Sequence, residues 1–143
     1  VSVTGAHGIR VEADIPDVMY ADAAPEAVIL PGGMPGATNL DGSRVVDAAV
    51  RAAAKRGAVL AAICAAPMVL GHKGLLNGKK AVCYPGFETE LTGAEIADTR
   101  VVQDGNVLTA AGMGVALEFA LTLTEMLAGK EKAAAVRKSI LAD

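Results

Sequence analysis

Residues 62–66, Ala62-Ile63-Cys64-Ala65-Ala66, set one thiol between pairs of small residues. The apolar run Ala58–Ile63 precedes it and a helix-like stretch to Gly71 follows. This is the small-x-nucleophile-x-small pattern of a strand-to-helix elbow, where flanking residues approach so closely that bulky side chains would clash. The nucleophile of such an elbow sits in a strained backbone conformation that costs about 1–3 kcal/mol. A thiol there faces unpaired N–H groups and the positive end of a helix dipole, and both favour the thiolate, its reactive form. The same N–H groups can hold an oxyanion, and Gly32 and Gly33 of "ILPGG" offer further backbone donors that a substrate can approach closely. The alternative for Cys64 is a buried structural cysteine, among the most buried of residue types. For Cys83, placed mid-strand in "KAVCYP", core packing is the reading.

The remaining chemistry-bearing residues are sparse. His7, beside Gly8 in a loop, is a candidate for the pocket rim; His72 falls two turns beyond the elbow, as a polar residue at a helix C-terminus. Glu118 in "LEFAL" reads as a helix-surface or interface residue. Pro31-Gly32-Gly33 fits neither a dinucleotide fingerprint nor a P-loop. Cys64 and Cys83 form no CxxC pair and no metal-ligand spacing with His7 or His72. Neither a metal nor a cofactor is therefore expected.

These residues need a scaffold that brings loops to one edge. "VSVTG" suits a strand entering a turn, as if met in its middle, and "AHGIRVEADIPD" a loop or hairpin. Buried strands are predicted at Ala27–Leu30, in "AVLAAIC" and in "KKAVCY", and two strands about a tight turn at Asp104 and Gly105. Helices are predicted from an Ser43 cap to Gly57, from Ala65 to about Gly71, in "GVALEFALTLTEMLAG" up to Gly129, and in "KEKAAAVRKSIL". "PGFETELTGAEI" reads as irregular or briefly helical. Uniformly apolar strands alternating with helices imply an α/β fold with a mostly parallel sheet covered on both faces. Ligands in such sheets bind beyond the carboxyl ends of the strands, where "ILPGG" and "AAIC" both deliver their loops.

The chain has 143 residues, which points to a single domain over 1–143. It is 52% hydrophobic but only 3% aromatic, so Ala, Val, Leu and Ile must build the core and base-stacking platforms are disfavoured. A formal net charge of −3 without a basic run argues against nucleic acid. No apolar run reaches the roughly 18 residues of a membrane span. Two thiols suit a reducing, cytoplasmic setting.

"VILPGGMPGATNL", "AAICAAPMVLG" and "LTAAGMGVALEFALTLTEMLAGKEKA" together resemble the ThiJ/PfpI superfamily, on the DJ-1-type branch of the parkinsonism-associated protein deglycase. The resemblance covers nearly all of residues 1–140. It implies a flavodoxin-like three-layer sandwich of the class I glutamine amidotransferase-like kind, a homodimer, a reactive Cys64, and an oxyanion pocket from backbone at Gly33 and Ala65. Three departures stand out. Family members begin with a strand and helix whose glutamate bonds the cysteine; no glutamate here matches it, so an N-terminal segment carrying that acid is expected from outside this sequence. A histidine near the cysteine in some members would fall about Gly93 or Ala94, where none stands. The family loop Ser-Arg-Gly-Pro-Gly is Ala110-Ala111-Gly112-Met113-Gly114 here, which loses the arginine and its charge and makes Met113 a candidate for a more apolar pocket rim.

The implied activity is that of a cysteine enzyme acting on reactive carbonyls, with a small aldehyde such as methylglyoxal or a glycated adduct as substrate (glyoxalase III- or deglycase-like). Oxidative-stress sensing through Cys64 and an amidase- or peptidase-like hydrolysis are the rivals.

Overall fold

The structure, a computed structural model, describes residues 1–20 and 24–142. β1 (Ser2–Thr4) and β2 (Arg10–Glu12) pair antiparallel, the hairpin among the two readings of this stretch, and a 3₁₀ turn (Asp17–Met19) follows. The chain then alternates through β3 (Ala27–Leu30), α1 (Gly36–Gly42), α2 (Arg44–Arg56), β4 (Val59–Ile63) and α3 (Pro67–His72). β5 (Lys80–Ala81), a 3₁₀ turn (Glu88–Glu90) and β6 (Glu95–Ile96) form a small side ladder. β7 (Val101–Asp104), β8 (Val107–Ala110), a 3₁₀ turn (Met113–Val115), α4 (Ala116–Ala128) and α5 (Lys130–Ser139) complete the chain.

The central sheet has the order β3-β4-β8-β7, with β3, β4 and β8 parallel and β7 antiparallel at one edge. Period-two alternation in β4 sends Leu60 and Ala62 to one face and Ala61 to the other. The first face packs with Ala37 of α1, Val50 and Ala53 of α2, and Met68 and Val69 of α3. The second packs with Leu108, Val115, Phe119 and Leu123, so α4 covers it, and α5 lies on α4. Helices on both faces of a mostly parallel sheet give the three layers predicted. Burying a side chain such as Leu60, Leu70 or Leu108 contributes roughly 2 kcal/mol.

Local chemistry explains the boundaries. Ser43 Oγ accepts from the Val46 N–H at 3.3 Å and starts α2, and Gly57 ends it in the left-handed region at φ 73°. α1 was not foreseen, because Gly36-Ala37-Thr38-Asn39-Leu40-Asp41-Gly42 has poor helix propensity. Packing compensates: Ala37 is fully buried and Leu40 lies against the core.

Two predicted elements are corrected. "KKAVCY" pairs only at Lys80–Ala81, because the next amides turn elsewhere: Val82 N–H donates to Thr109 Oγ1 at 3.0 Å and Tyr84 N–H to the Cys64 carbonyl at 2.8 Å. Cys83 thus lies beyond the strand, still in the core. The tight turn is Gly105-Asn106 rather than Asp104-Gly105, since Asp104 pairs with Val107 and its carboxylate accepts from the Lys80 N–H at 2.8 Å. No described helix is long and apolar enough to cross a membrane.

Candidate functional site

Three loops leave the carboxyl ends of β3, β4 and β8, residues 31–35, 64–66 and 111–114, and parallel pairing brings them to one edge. Cys64 heads the middle loop. Its φ is 64°, a left-handed conformation that a side chain adopts at a cost of about 1–3 kcal/mol. Both of its backbone groups are tied: Cys64 N–H donates to the Ala110 carbonyl at 2.8 Å, and the Cys64 carbonyl accepts from Tyr84 N–H at 2.8 Å. The neighbouring strand and the following loop thereby enforce the elbow.

Gly32 lies directly beneath it. A methyl group built there would stand 2.5 Å from Cys64 Cβ, 2.7 Å from the Ile63 carbonyl oxygen and 3.3 Å from Ala65 N. Gly33 adopts φ 88°. Among the described residues, neither the Gly33 nor the Ala65 N–H donates a hydrogen bond. Ala65 is buried, where backbone donors are ordinarily paired, and Gly33 is exposed at the same edge, so both N–H groups have capacity for a ligand oxygen beside the half-buried thiol. α3 itself adds little to this: it has six residues, and Pro67 at its start carries no N–H.

The other predicted residues fall differently. His7 is exposed in the turn of the β1–β2 hairpin, whose ladder is separate from the central sheet, and no hydrogen bond among the described residues links it to the elbow. Met113 is 89% exposed on the loop after β8, at the same edge as Cys64. Glu118 is exposed on α4, as read from the sequence. His72 does end α3, but it bridges two carboxylates. Among the described residues no group of three potential ligands could hold a metal ion.

Two neighbours were not foreseen. Tyr84 caps the Cys64 carbonyl and lays its ring along the loop after β8; a methyl group on Gly112 would be 3.4 Å from Tyr84 Cδ2. Arg100, just before β7, places its guanidinium 3.2 Å from where a Gly114 methyl group would stand. The loop itself lacks the arginine, as read from the sequence, but a guanidinium from outside it, that of Arg100, lies beside it. No spacing in the sequence joins 84 or 100 to 64; the sheet does so.

Cys83 is also near but different. It is 4% exposed, and burial, then the Glu88 carboxylate, pushes its thiol up to about 11, against the opposing Phe87 N–H. A cavity of about 230 Å³ opens beside it, lined among others by Glu88, Thr99, Arg100 and Ala111.

A sequence profile of the DJ-1/PfpI family matches residues 1–126. Protein DJ-1 homolog B of Arabidopsis thaliana is 41% identical over 138 residues, 95% of this chain but 32% of its own length. Protein dj-1beta of Drosophila melanogaster is 38% identical over 152 residues, covering 99% of this chain and 81% of that protein. The glutathione-independent glyoxalase DJR-1.2 of Caenorhabditis elegans is 33% identical over 140 residues, covering 94% and 73%. The crystal structure of Drosophila melanogaster DJ-1beta superposes with a TM-score of 0.91 at 36% identity, over 98% of this chain and 76% of that one. Oxidized Toxoplasma gondii DJ-1 gives 0.92 at 35% identity, over 98% and 77%. By sequence profile, by identity to these relatives and by fold, the chain belongs to the DJ-1/PfpI family.

Proposed function

We propose that the protein is a cysteine-dependent enzyme acting on small reactive carbonyls, with a 2-oxoaldehyde such as methylglyoxal as substrate. One observation carries the reading: a thiol held at φ 64° beside the undonated N–H groups of Gly33 and Ala65. The Cys64 thiolate adds to the aldehyde carbon. A C–S bond forms, and the carbonyl electron pair moves onto oxygen, where the two N–H groups hold it. The hemithioacetal then shifts a hydrogen from the former aldehyde carbon to the neighbouring ketone carbon, giving a thioester. Water hydrolyses that thioester to the 2-hydroxy acid and frees the thiol. The net change is addition of one water, with no external oxidant. A glycated adduct at the same site would release its amine or thiol. The name of the nematode relative, a glutathione-independent glyoxalase, supports the substrate class.

The proton shuttle needs an acid. In this reading it is a carboxylate on a further strand lying along β3. Support comes from the open edge of β3, where Ile29 is 51% exposed, and from an apolar groove of about 390 Å³ lined by Ile15, Ala27, Ile29 and Val45 among others. A homodimer and a reducing compartment belong to the same proposal; sedimentation at twice the chain mass tests the first.

Steady-state methylglyoxal consumption with lactate measured is the direct test. Turnover lost in Cys64→Ala supports the proposal; equal rates with and without the thiol sink it. Intact mass of the purified natural protein, with any co-purifying fragment, tests for the acid-bearing segment. Oxidative sensing is the second reading, favoured by a Cys64 that is only half-buried and by the oxidized state of the similar Toxoplasma gondii structure. A gain of about 32 Da at Cys64 under peroxide, the sulfinic acid, is its signature.

A further inference from the structure

One cluster of charges lies away from Cys64, at the far ends of segments that frame it. α1 follows the Gly33 loop and carries Asp41 near its end. α3 follows the elbow and ends at His72. The 3₁₀ turn that follows Tyr84, whose N–H holds the Cys64 carbonyl, ends at Glu90. The His72 ring joins all three: Nδ1 lies 2.8 Å from Asp41 Oδ2 and Nε2 lies 2.7 Å from Glu90 Oε2. The close packing is built in. A side chain on Gly71 would run into the Glu90 carbonyl oxygen and stand 2.8 Å from Leu91 Cα.

The geometry assigns the charge of the ring. A neutral imidazole has one N–H and one lone pair, so it can donate to one carboxylate only and would turn its lone pair on the other. Both contacts are hydrogen bonds only when the ring is an imidazolium. The surrounding charges agree. From α2, Asp47 pairs with Arg51 at 3.0 Å; Lys73, 8% exposed, sits 3.1 Å from Asp41 Oδ1 and 3.7 Å from Asp47 Oδ1. Glu88 turns its carboxylate to the Gly86 N–H at 2.8 Å, and β4 carries no charge. Asp41, Asp47 and Glu90 are balanced by Lys73, Arg51 and a protonated His72. Without that proton one negative charge is left over.

We propose that His72 is a positioning residue, a proton-operated tie that holds together the three segments whose other ends present Gly33, Cys64 and the Tyr84 amide. The Asp41 hydrogen bond, then that of Glu90, raises the affinity of the ring for its proton above the ordinary 6.5. Burial alone would raise Asp41, but hydrogen bonds from His72 and Lys73 and the Lys73 charge outweigh it and leave Asp41 below 3.8. The contribution of His72 to stability is therefore complete below about pH 6.5 and lost as pH rises through its higher folded value. Its effect on turnover rests on the thiol chemistry above; its effect on structure does not, and the two can fail separately.

Amide hydrogen exchange across pH, corrected for intrinsic base catalysis, tests the tie without substrate. In the unaltered protein, protection of residues 33–42 and 84–90 falls about two- to fivefold as His72 deprotonates, the scale of a partly exposed ion pair. In His72→Gln that protection is low and flat with pH. Glu90→Gln is the decisive variant, because its amide donates to the lone pair of a neutral ring and keeps the bridge. It retains protection on both sides of the transition. The same pH profile in the unaltered protein and His72→Gln, or a high-pH loss in Glu90→Gln equal to that of the unaltered protein, overturns the proposal.

Discussion

Cys64 and Cys83 are close in the fold, yet they occupy opposite physical regimes. Cys64 is half-buried at the carboxyl edge of the sheet, in a left-handed backbone conformation, with the Gly33 and Ala65 N–H groups at hand. Cys83 is 4% exposed, in the core cluster and beside the cavity that Glu88 lines, and burial and the Glu88 charge hold its thiol protonated up to about 11. Residue type is shared; exposure, backbone conformation and nearby donors are not. The difference shows that the surroundings a thiol meets are set by its place, at a loop end of parallel strands or in the core, and not by residue type.

The largest effect expected from breaking this contrast is on chemistry. Cys64→Ala lowers methylglyoxal turnover by at least about a hundredfold, whereas Cys83→Ala leaves it within about twofold. Parallel rate assays on the two variants check this. Gly32→Ala comes next. The added methyl group meets Cys64 Cβ and the Ile63 carbonyl, which are fixed by the backbone, so the elbow must move. Overpacking of this kind costs about 1–3 kcal/mol, and displacing the nucleophile by about 1 Å lowers turnover about a hundredfold. Melting temperature and rate, measured together, separate the two losses. Iodoacetamide at pH 8 then sharpens the comparison by count: one label, on Cys64, in the native protein and two after denaturation, read by peptide mass.

The smallest effect is on alkaline stability. Cys83 binds its proton more tightly folded than at its ordinary value of 9.0. Stability should therefore decline as pH rises from about 9 to about 11, since the unfolded chain has already released that proton. Cys83→Ala should flatten this part of the profile in urea titrations.

How far the sequence could be read follows the range of the interactions. Ala27–Leu30 and Arg44–Arg56 match their predicted bounds, because an apolar run stopped by Pro31-Gly32-Gly33, a Ser43 cap and Gly57 act within a few residues. Cys64 was legible for the same reason: the elbow needs small neighbours at fixed spacing, and Ala62 and Ala66 supply them. α1 escaped because its stability lies in Ala37 meeting the core rather than in its own propensity. His7 was a candidate from its place beside Gly8, but the hairpin carries it on a separate ladder.

The chain by itself determined most of the strands and helices and the elbow at Cys64, since apolar runs, caps and the small residues about an elbow are local constraints. Only the tertiary structure decided what surrounds that cysteine. Parallel pairing of β3, β4 and β8 brings Gly33, Ala65, Tyr84 and the loop after β8 to one edge, and close packing at Gly71 brings Glu90 to His72 across 18 residues of chain. Contacts of that separation depend on register and packing, which no local pattern encodes.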